Sequence, residues 1–393
     1  MASLQGSSLS RCGAIARLFL KLGVIGFGGP AAHIALMDEE VVKRRRWLTR
    51  EHFLDLLGAT NLIPGPNSTE MAIHVGFSYG GWPGLVVAGV CFVLPAVVLT
   101  GLLAWVYVEF GTVPAIAPLL YGIKPAVLAI IASALWRLGK KAVKSRPLGL
   151  VAAAVIPLLL WGVNEVLALL IGGVVGMVWL RQPPTPPTEK TASLWVAAAN
   201  GLALTTRSEL VQAAAATTGA TLGQIALVFL KVGAVLFGSG YVLIAFLEGE
   251  LVGRGWLTQT ELLDAIAIGQ FTPGPVLSTA TFIGYLMAGV PGAVVATVGI
   301  FLPSFGLVAL LNPLIPKLRQ SPWAAAFLDA VNASSVALMA VVTVRLAGLT
   351  LWGDAIALGI TLLATVAIFQ FKIGPVWIVL GGAAVGLLSH ALA

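Results

Sequence analysis

The chain has 393 residues, of which 58% are hydrophobic and only 10% charged, with a formal net charge of +7 and a mean hydropathy of +0.97. A soluble domain carries about 25% charged residues, so these proportions exclude a soluble protein and predict an all-α polytopic membrane protein. The positive charge does not point to nucleic acid, because Lys and Arg cluster in loops between apolar segments, where they orient helices in a bilayer. Cys12 and Cys91, the only cysteines, give neither a metal-ligand spacing nor a disulfide framework.

The N-terminal stretch Met1 to Ser10 is polar and lacks the apolar core and small-residue cleavage site of a secretory signal. The first apolar segment, 13–37, is therefore expected to act as an uncleaved targeting element, in a bacterial-type inner membrane. It contains Phe19-Leu20-Lys21 and Gly26-Phe27-Gly28-Gly29-Pro30. A loop with an amphipathic helix follows over 38–60, carrying Lys43, Arg44, Arg45, Arg46 and Arg50 and the run Trp47-Leu48-Thr49. Then comes Asn61-Leu-Ile-Pro64-Gly65-Pro66-Asn67-Ser68-Thr69-Glu70. A Pro-Gly-Pro triplet cannot sit inside a regular helix, since each Pro lacks an N–H and crowds the preceding turn. The break falls in apolar surroundings, and at membrane depth an irregular backbone survives only where protein buries it or it lines a cavity. Beyond it the pattern predicts a short helix over 67–80, long helices over 84–108 and 118–138, and two shorter spans over 148–162 and 165–180.

A proline-dense linker, 181–221, separates this first repeat (13–180) from a second (222–393). Within the linker, 194–204 is apolar but short, and is read as an interfacial or an extra helix. In the second repeat the same signals return: Phe229-Leu230-Lys231, Phe237-Gly238-Ser239-Gly240, Trp256-Leu257-Thr258, Asp264 for Asp55, Gln270-Phe-Thr-Pro273-Gly274-Pro275, and Leu302-Pro303 for Leu94-Pro95. A Gly-rich apolar segment is expected at 223–247, a loop with an amphipathic helix at 248–269, and helices at 276–289, 292–312, 324–346, 354–369 and 374–391.

The charges of the halves are reversed. The basic loop around Arg45 is matched by a loop keeping only Arg254, the Lys140-Lys141-Lys144-Arg146 stretch by Asp354 alone, and Glu109 by Lys317 and Arg319. Loops rich in Lys and Arg stay in the cytoplasm, so the halves are predicted to be an inverted-topology repeat with broken helices at the Gly-rich and Pro-Gly-Pro segments. The alternative is a parallel repeat whose surface charges have drifted. Paired breaks in corresponding places of two halves mark the binding site of a secondary transporter.

The candidate substrate-binding residues are Lys21, Gly28, Gly29, Asn61, Asn67, Ser68, Thr69, Lys231, Gly238, Ser239, Gln270 and Ser278. Consecutive glycines before Pro30 free backbone N–H groups at a helix N-terminus, which favours an anion; close helix packing is the competing explanation. Lys21 and Lys231 are repeated intramembrane cations, unless they snorkel to the interface. Lys124 is a further cation of this kind. Asn67, Ser68 and Thr69 offer hydrogen bonds to an oxyanion, and Glu70 is the candidate proton-coupling carboxylate; alternatively Asn67 and Glu70 form a capping box. Pro64, Gly65, Pro66, Pro273, Gly274 and Pro275 form the helix breaks. His33 and His74 make no metal spacing and are read as polar lining. No phosphate loop, nucleophile–base set or cofactor motif appears, so neither an ATP-driven pump nor an enzyme is predicted and no cofactor is expected.

Phe27-Gly28-Gly29-Pro30, the acidic-then-basic loop ending in Trp47-Leu48-Thr49, and Pro64-Gly65-Pro66-Asn67 together resemble the chromate ion transporter (CHR) family, in its long-chain, two-repeat form. The resemblance covers essentially the whole chain except the linker. It implies export of chromate from the bacterial cytoplasm, chromate resistance, and energy from the proton-motive force or anion exchange. The residues themselves support a secondary carrier with anion-friendly helix breaks. A sulfate or other oxyanion carrier for which chromate is a mimic stays open, as do a membrane sensor or embedded enzyme, and a homodimer in the bilayer.

Overall fold

The computed structural model describes residues 8–27, 29–60, 63–110, 117–180, 220–237, 240–311 and 321–392. The described residues form fourteen α-helices and no strand, seven helices to each half. The first half runs α1 (Ser8–Ile25), α2 (Pro30–Met37) continuing into a π-helical turn (Asp38–Arg44), α3 (Arg50–Thr60), α4 (Asn67–Phe110), α5 (Ala117–Ala142), α6 (Arg146–Leu160) and α7 (Glu165–Trp179). The second runs α8 (Leu222–Val235), α9 (Leu243–Leu247) with its π-helical turn (Glu248–Val252), α10 (Gln259–Phe271), α11 (Thr279–Leu311), α12 (Pro322–Leu351), α13 (Ala355–Phe371) and α14 (Pro375–Leu392). Each helix thus has its counterpart seven places on. Residues 181–219, most of the linker including 194–204, lie outside the described residues, as do Lys317 and Arg319.

The Trp-Leu-Thr runs turn out to be helix starts. Thr258 is the N-cap of α10 in a capping box with Glu261, and the Thr49 hydroxyl accepts the His52 N–H at 3.2 Å. The basic side chain just before each run lies over its Trp ring, Arg45 on Trp47 and Arg254 on Trp256.

α4 and α11 are not single rods. α4 reverses at Gly81 (φ 64°, ψ −151°) and α11 at Gly289 (φ 59°, ψ −149°). Gly76 packs on Gly84 and Ala88, although a straight helix would hold Gly76 and Gly84 about 12 Å apart. The Thr281 and Thr297 hydroxyls meet at 2.7 Å, where a straight helix would separate them by about 24 Å. Each is a hairpin of a short arm (67–80; 279–288) and a long arm (82–110; 290–311). The short arm of α4 is about 21 Å long, less than the roughly 30 Å of a hydrocarbon core, whereas its long arm of about 43 Å exceeds that core. The division into a short helix and a long helix after each Pro-Gly-Pro triplet is the one expected from the sequence.

α1 packs on the long arm of α4, and α8 on that of α11. Gly23 and Gly233 make both contacts close, each with its backbone against a carbonyl of the facing helix, Phe92 and Ile300 respectively. The two long arms meet antiparallel. Leu85 clusters with Val308 and Gly89 lies under Phe305, while Val97 and Gly101 face Ala293 and Thr297. Because α4 and α11 are counterparts, an antiparallel contact places the pseudo-twofold axis across the helices rather than along them. In a bilayer that relation gives the halves opposite orientations. The halves also interlace: α6 and α7 pack on α12, and α13 and α14 on α5. Tyr107 donates to Asp264 at 2.9 Å and Tyr121 to Asp354 at 2.6 Å across the boundary.

Exposed apolar residues recur every turn along α4 (Trp82, Val86, Val90, Leu94, Val98, Leu102) and along α11 (Val290, Val294, Val298, Leu302, Leu310). Among the described residues four helices are long and apolar enough to cross a membrane by length and composition, and these stripes are the surfaces that α4 and α11 offer to lipid. The opposite orientation of the halves has a direct test. With Cys12 and Cys91 removed, single cysteines at Arg45 and Arg254 are expected to react with an impermeant thiol reagent from opposite sides of the membrane. Reaction from the same side contradicts the inverted arrangement.

Candidate functional site at the crossed Pro-Gly-Pro turns

Each Pro-Gly-Pro turn closes on the other half. The Gly65 N–H donates to the Leu236 carbonyl at 2.7 Å, and the Gly274 N–H donates to the Gly26 carbonyl at 2.8 Å. Gly26 and Leu236 are counterparts, the first residues beyond α1 and α8. Prolines on both sides cannot donate, so the glycine supplies the triplet's one N–H. An unpaired backbone group at this depth would cost several kcal/mol, and the crossed pair removes that cost twice. Gly65 (φ 141°) and Gly274 (φ 99°) both hold positive φ, where an L side chain is strained.

The Gly26 carbonyl also accepts from His33 Nε2 at 2.8 Å. A carbonyl cannot donate, so Nε2 carries the hydrogen. His33 is buried edge-on to Phe92, and its counterpart is Leu243. Expected as polar lining, His33 is the side chain that holds one broken backbone in place, in one half only.

The two crossings differ in chemistry. In the first, the short arm of α4 begins with the Pro66 carbonyl accepting from the Thr69 and Glu70 N–H groups at 2.8 and 3.0 Å. The Glu70 side chain is fully enclosed and lies over Gly65, and Ser304 of α11 stands beside it; a Cβ on Gly65 would overlap the carboxyl and come within 2.6 Å of Ser304 Oγ. Neither Glu70 oxygen nor Ser304 Oγ has a hydrogen-bond partner among the described residues. In the second crossing Thr279 stands for Glu70 and its hydroxyl is already bonded to the Val276 carbonyl at 2.8 Å. Ala96 stands for Ser304, 2.9 Å from a Cβ built on Gly274. The capping-box explanation of Glu70 is therefore corrected: its carboxyl reaches no described backbone N–H, because the helix is opened by the Pro66 carbonyl. Ser304 was not foreseen. Its signal is a hydroxyl after Leu302-Pro303 where the first repeat has Ala96 after Leu94-Pro95.

Ser68, Thr69, Ser278 and Gln270 are buried around these turns, and Thr69 Oγ1, Ser278 Oγ and Gln270 Nε2 have no partner among the described residues. Asn67 is the first residue of the short arm. Gly29 is the N-cap of α2 with φ 81° and ψ −170°, ahead of Pro30 at the first helical position. Gly28, Asn61, Gly238 and Ser239 lie outside the described residues.

Lys21 and Lys231 are placed differently from the expectation of anion ligands. Lys21 Nζ is 2.6 Å from Glu40 Oε1 and Lys231 Nζ 2.5 Å from Glu250 Oε1, with side chains 48% and 39% exposed. The Lys21 ammonium holds the Glu40 carboxyl below its ordinary range, and Arg44 and Arg45 approach the same group. Each lysine thus joins the helix before a Gly-rich break to the π-helical turn after it. Lys124 is likewise engaged, 3.7 Å from Asp264 Oδ1. Lys21→Ala and Glu40→Ala are accordingly expected to lower transport equally and non-additively in a double-mutant cycle. A raised KM for the anion in Lys21→Ala alone contradicts this and returns Lys21 to the binding site.

The profile of the chromate transporter family matches residues 13–177 and again residues 223–387, one match for each seven-helix half. The chain belongs to the chromate transporter family. It is 33% identical over 382 residues to a chromate transport protein of Cupriavidus metallidurans, covering 95% of this chain and 92% of that one. It is 34% identical over 339 residues to a chromate transport protein of Pseudomonas aeruginosa, covering 84% and 80%. A probable chromate transport protein of Synechococcus elongatus is 31% identical over 339 residues, covering 83% and 82%. No solved structure matches the chain. The family is one of transporters, not enzymes.

Proposed function

We propose that the protein is a secondary carrier exporting chromate across a bacterial inner membrane, in which it is a multi-pass protein, and that this export confers chromate resistance. The observation that carries the reading is the enclosed group of Glu70, Ser304 and Thr69 at one of two crossed turns, with open hydrogen-bonding capacity and no described partner, beside the buried Ser68. The similarity to chromate transport proteins supplies the anion. The Ser68 and Thr69 hydroxyls at the start of the α4 short arm bind the oxyanion, aided by the positive end of the helix dipole. Protonated Glu70 donates a hydrogen bond to it, and ionised Glu70 repels it. An ionised carboxyl here without a partner is costly, so the empty site regains its proton before the next anion enters, and loss of the proton assists release. Only one crossing carries an acid, which makes one anion per chain the expected stoichiometry. Rocking of the interlaced halves about the crossing exposes it to each side in turn.

Sulfate has the charge and shape of chromate, so selectivity needs its own experiment. Purified protein in liposomes is expected to give saturable chromate flux that a tenfold excess of sulfate leaves above half its value. Full suppression by equimolar sulfate would instead make the protein a sulfate carrier, with chromate as the mimic.

A further inference from the structure

The antiparallel long arms of α4 and α11 create two pseudo-equivalent clefts, and only one is filled. In the filled cleft the Phe305 ring lies on Gly89, against Ile73. In the other, Val97 stands where the second half has Phe305, Thr297 where the first has Gly89, and Thr281 where it has Ile73. The smaller side chain leaves a groove of about 490 Å³, within the ~300–1,000 Å³ typical of small-ligand pockets. Thr297 donates to the Ala293 carbonyl at 2.6 Å and Thr281 meets Thr297 at 2.7 Å, so both hydroxyls are engaged. What remains to an occupant is apolar wall.

We infer that this groove is a binding site for one acyl chain of a membrane lipid. Its walls include Val98, Leu102, Val290 and Val294, which belong to the exposed apolar stripes of both long arms. The groove is therefore continuous with the surface that meets hydrocarbon. Water is a poor occupant, since each water needs two to four polar partners. An acyl chain needs none, is flexible, and is supplied by the bilayer itself. Val97 directly follows Ala96, the residue facing Gly274, so the bound chain lies one residue from the second Pro-Gly-Pro turn.

The pseudo-symmetry provides an internal control. The full-length protein is reconstituted in phosphatidylcholine vesicles containing a lipid with a diazirine in its acyl chain, irradiated, and mapped by peptide mass spectrometry. Labelling resolved to single residues is expected at Gly101 and Tyr285 of the groove in addition to the exposed stripes, and is expected to spare Ile73 and Gly89 of the filled cleft. Val97→Phe is expected to reduce it several-fold, and Phe305→Val to add label at the second cleft. Equal labelling of the two clefts in the unsubstituted protein, or unchanged labelling in both variants, overturns the assignment. With Cys12 and Cys91 removed, a disulfide joining two chains through Val98→Cys overturns it in favour of an interface between copies.

Discussion

Gly65→Ala is expected to abolish chromate flux while the chain still inserts in the membrane, and Gly274→Ala to leave a measurable fraction. Both substitutions place an L residue at positive φ, a strain on the order of 1–3 kcal/mol. That part is common to the two variants and weakens both crossed hydrogen bonds alike. The difference lies in what the new Cβ meets. At Gly65 it lands on the Glu70 carboxyl and 2.6 Å from Ser304 Oγ; at Gly274 its nearest neighbour is the Ala96 methyl, at 2.9 Å, with the Gly23 carbonyl at 3.5 Å. If the anion is held at the Glu70 side, the first substitution fills its place and the second only distorts a neighbouring turn. Flux per inserted protein, with insertion measured separately, resolves the comparison. Equal residual flux in the two variants contradicts a privileged site at Glu70.

The architecture was legible wherever local chemistry decides it. Proline and glycine act on their own turn of backbone, so the Pro-Gly-Pro breaks and the short arms could be read directly, whereas the reversals at Gly81 and Gly289 could not. Duplication then doubled each signal and matched the seven helices of one half to those of the other. The charge-reversed loops pointed to the same antiparallel relation that the long arms display. The crossing itself was not legible. Gly65 and Gly274 bond to backbone carbonyls of the opposite half, and a carbonyl leaves no mark on its residue type. Lys21 and Lys231 were read as ligands because a lysine in an apolar segment is costly without a partner. The partner was in plain view, since Glu40 and Glu250 recur at the same distance from their lysines in both repeats. Ser304 escaped notice because a single hydroxyl in a long apolar helix carries no pattern.

Glu70→Gln is the second large effect. Glutamine keeps the size of the side chain and a hydrogen-bond donor, but it cannot ionise. The variant is expected to bind chromate and to move it at a rate that no longer follows pH. In the unsubstituted protein, protonation of Glu70 admits the anion, so flux should rise as the pH on the loading side falls, by up to about tenfold per pH unit, the limit for one proton. Substituting Ser304→Ala is expected to weaken anion binding without removing that pH dependence, since the hydroxyl does not titrate.

The central claim is that one enclosed carboxyl at the crossed turns couples a proton to the passage of an oxyanion. The measurement that tests it most directly is chromate flux in liposomes as a function of pH, for the purified protein and for Glu70→Gln side by side. The account predicts a flux that rises with acidity in the first and a flat profile at retained saturable flux in the second. Chromate flux no greater than in protein-free liposomes, or the same rising profile in both proteins, would contradict it.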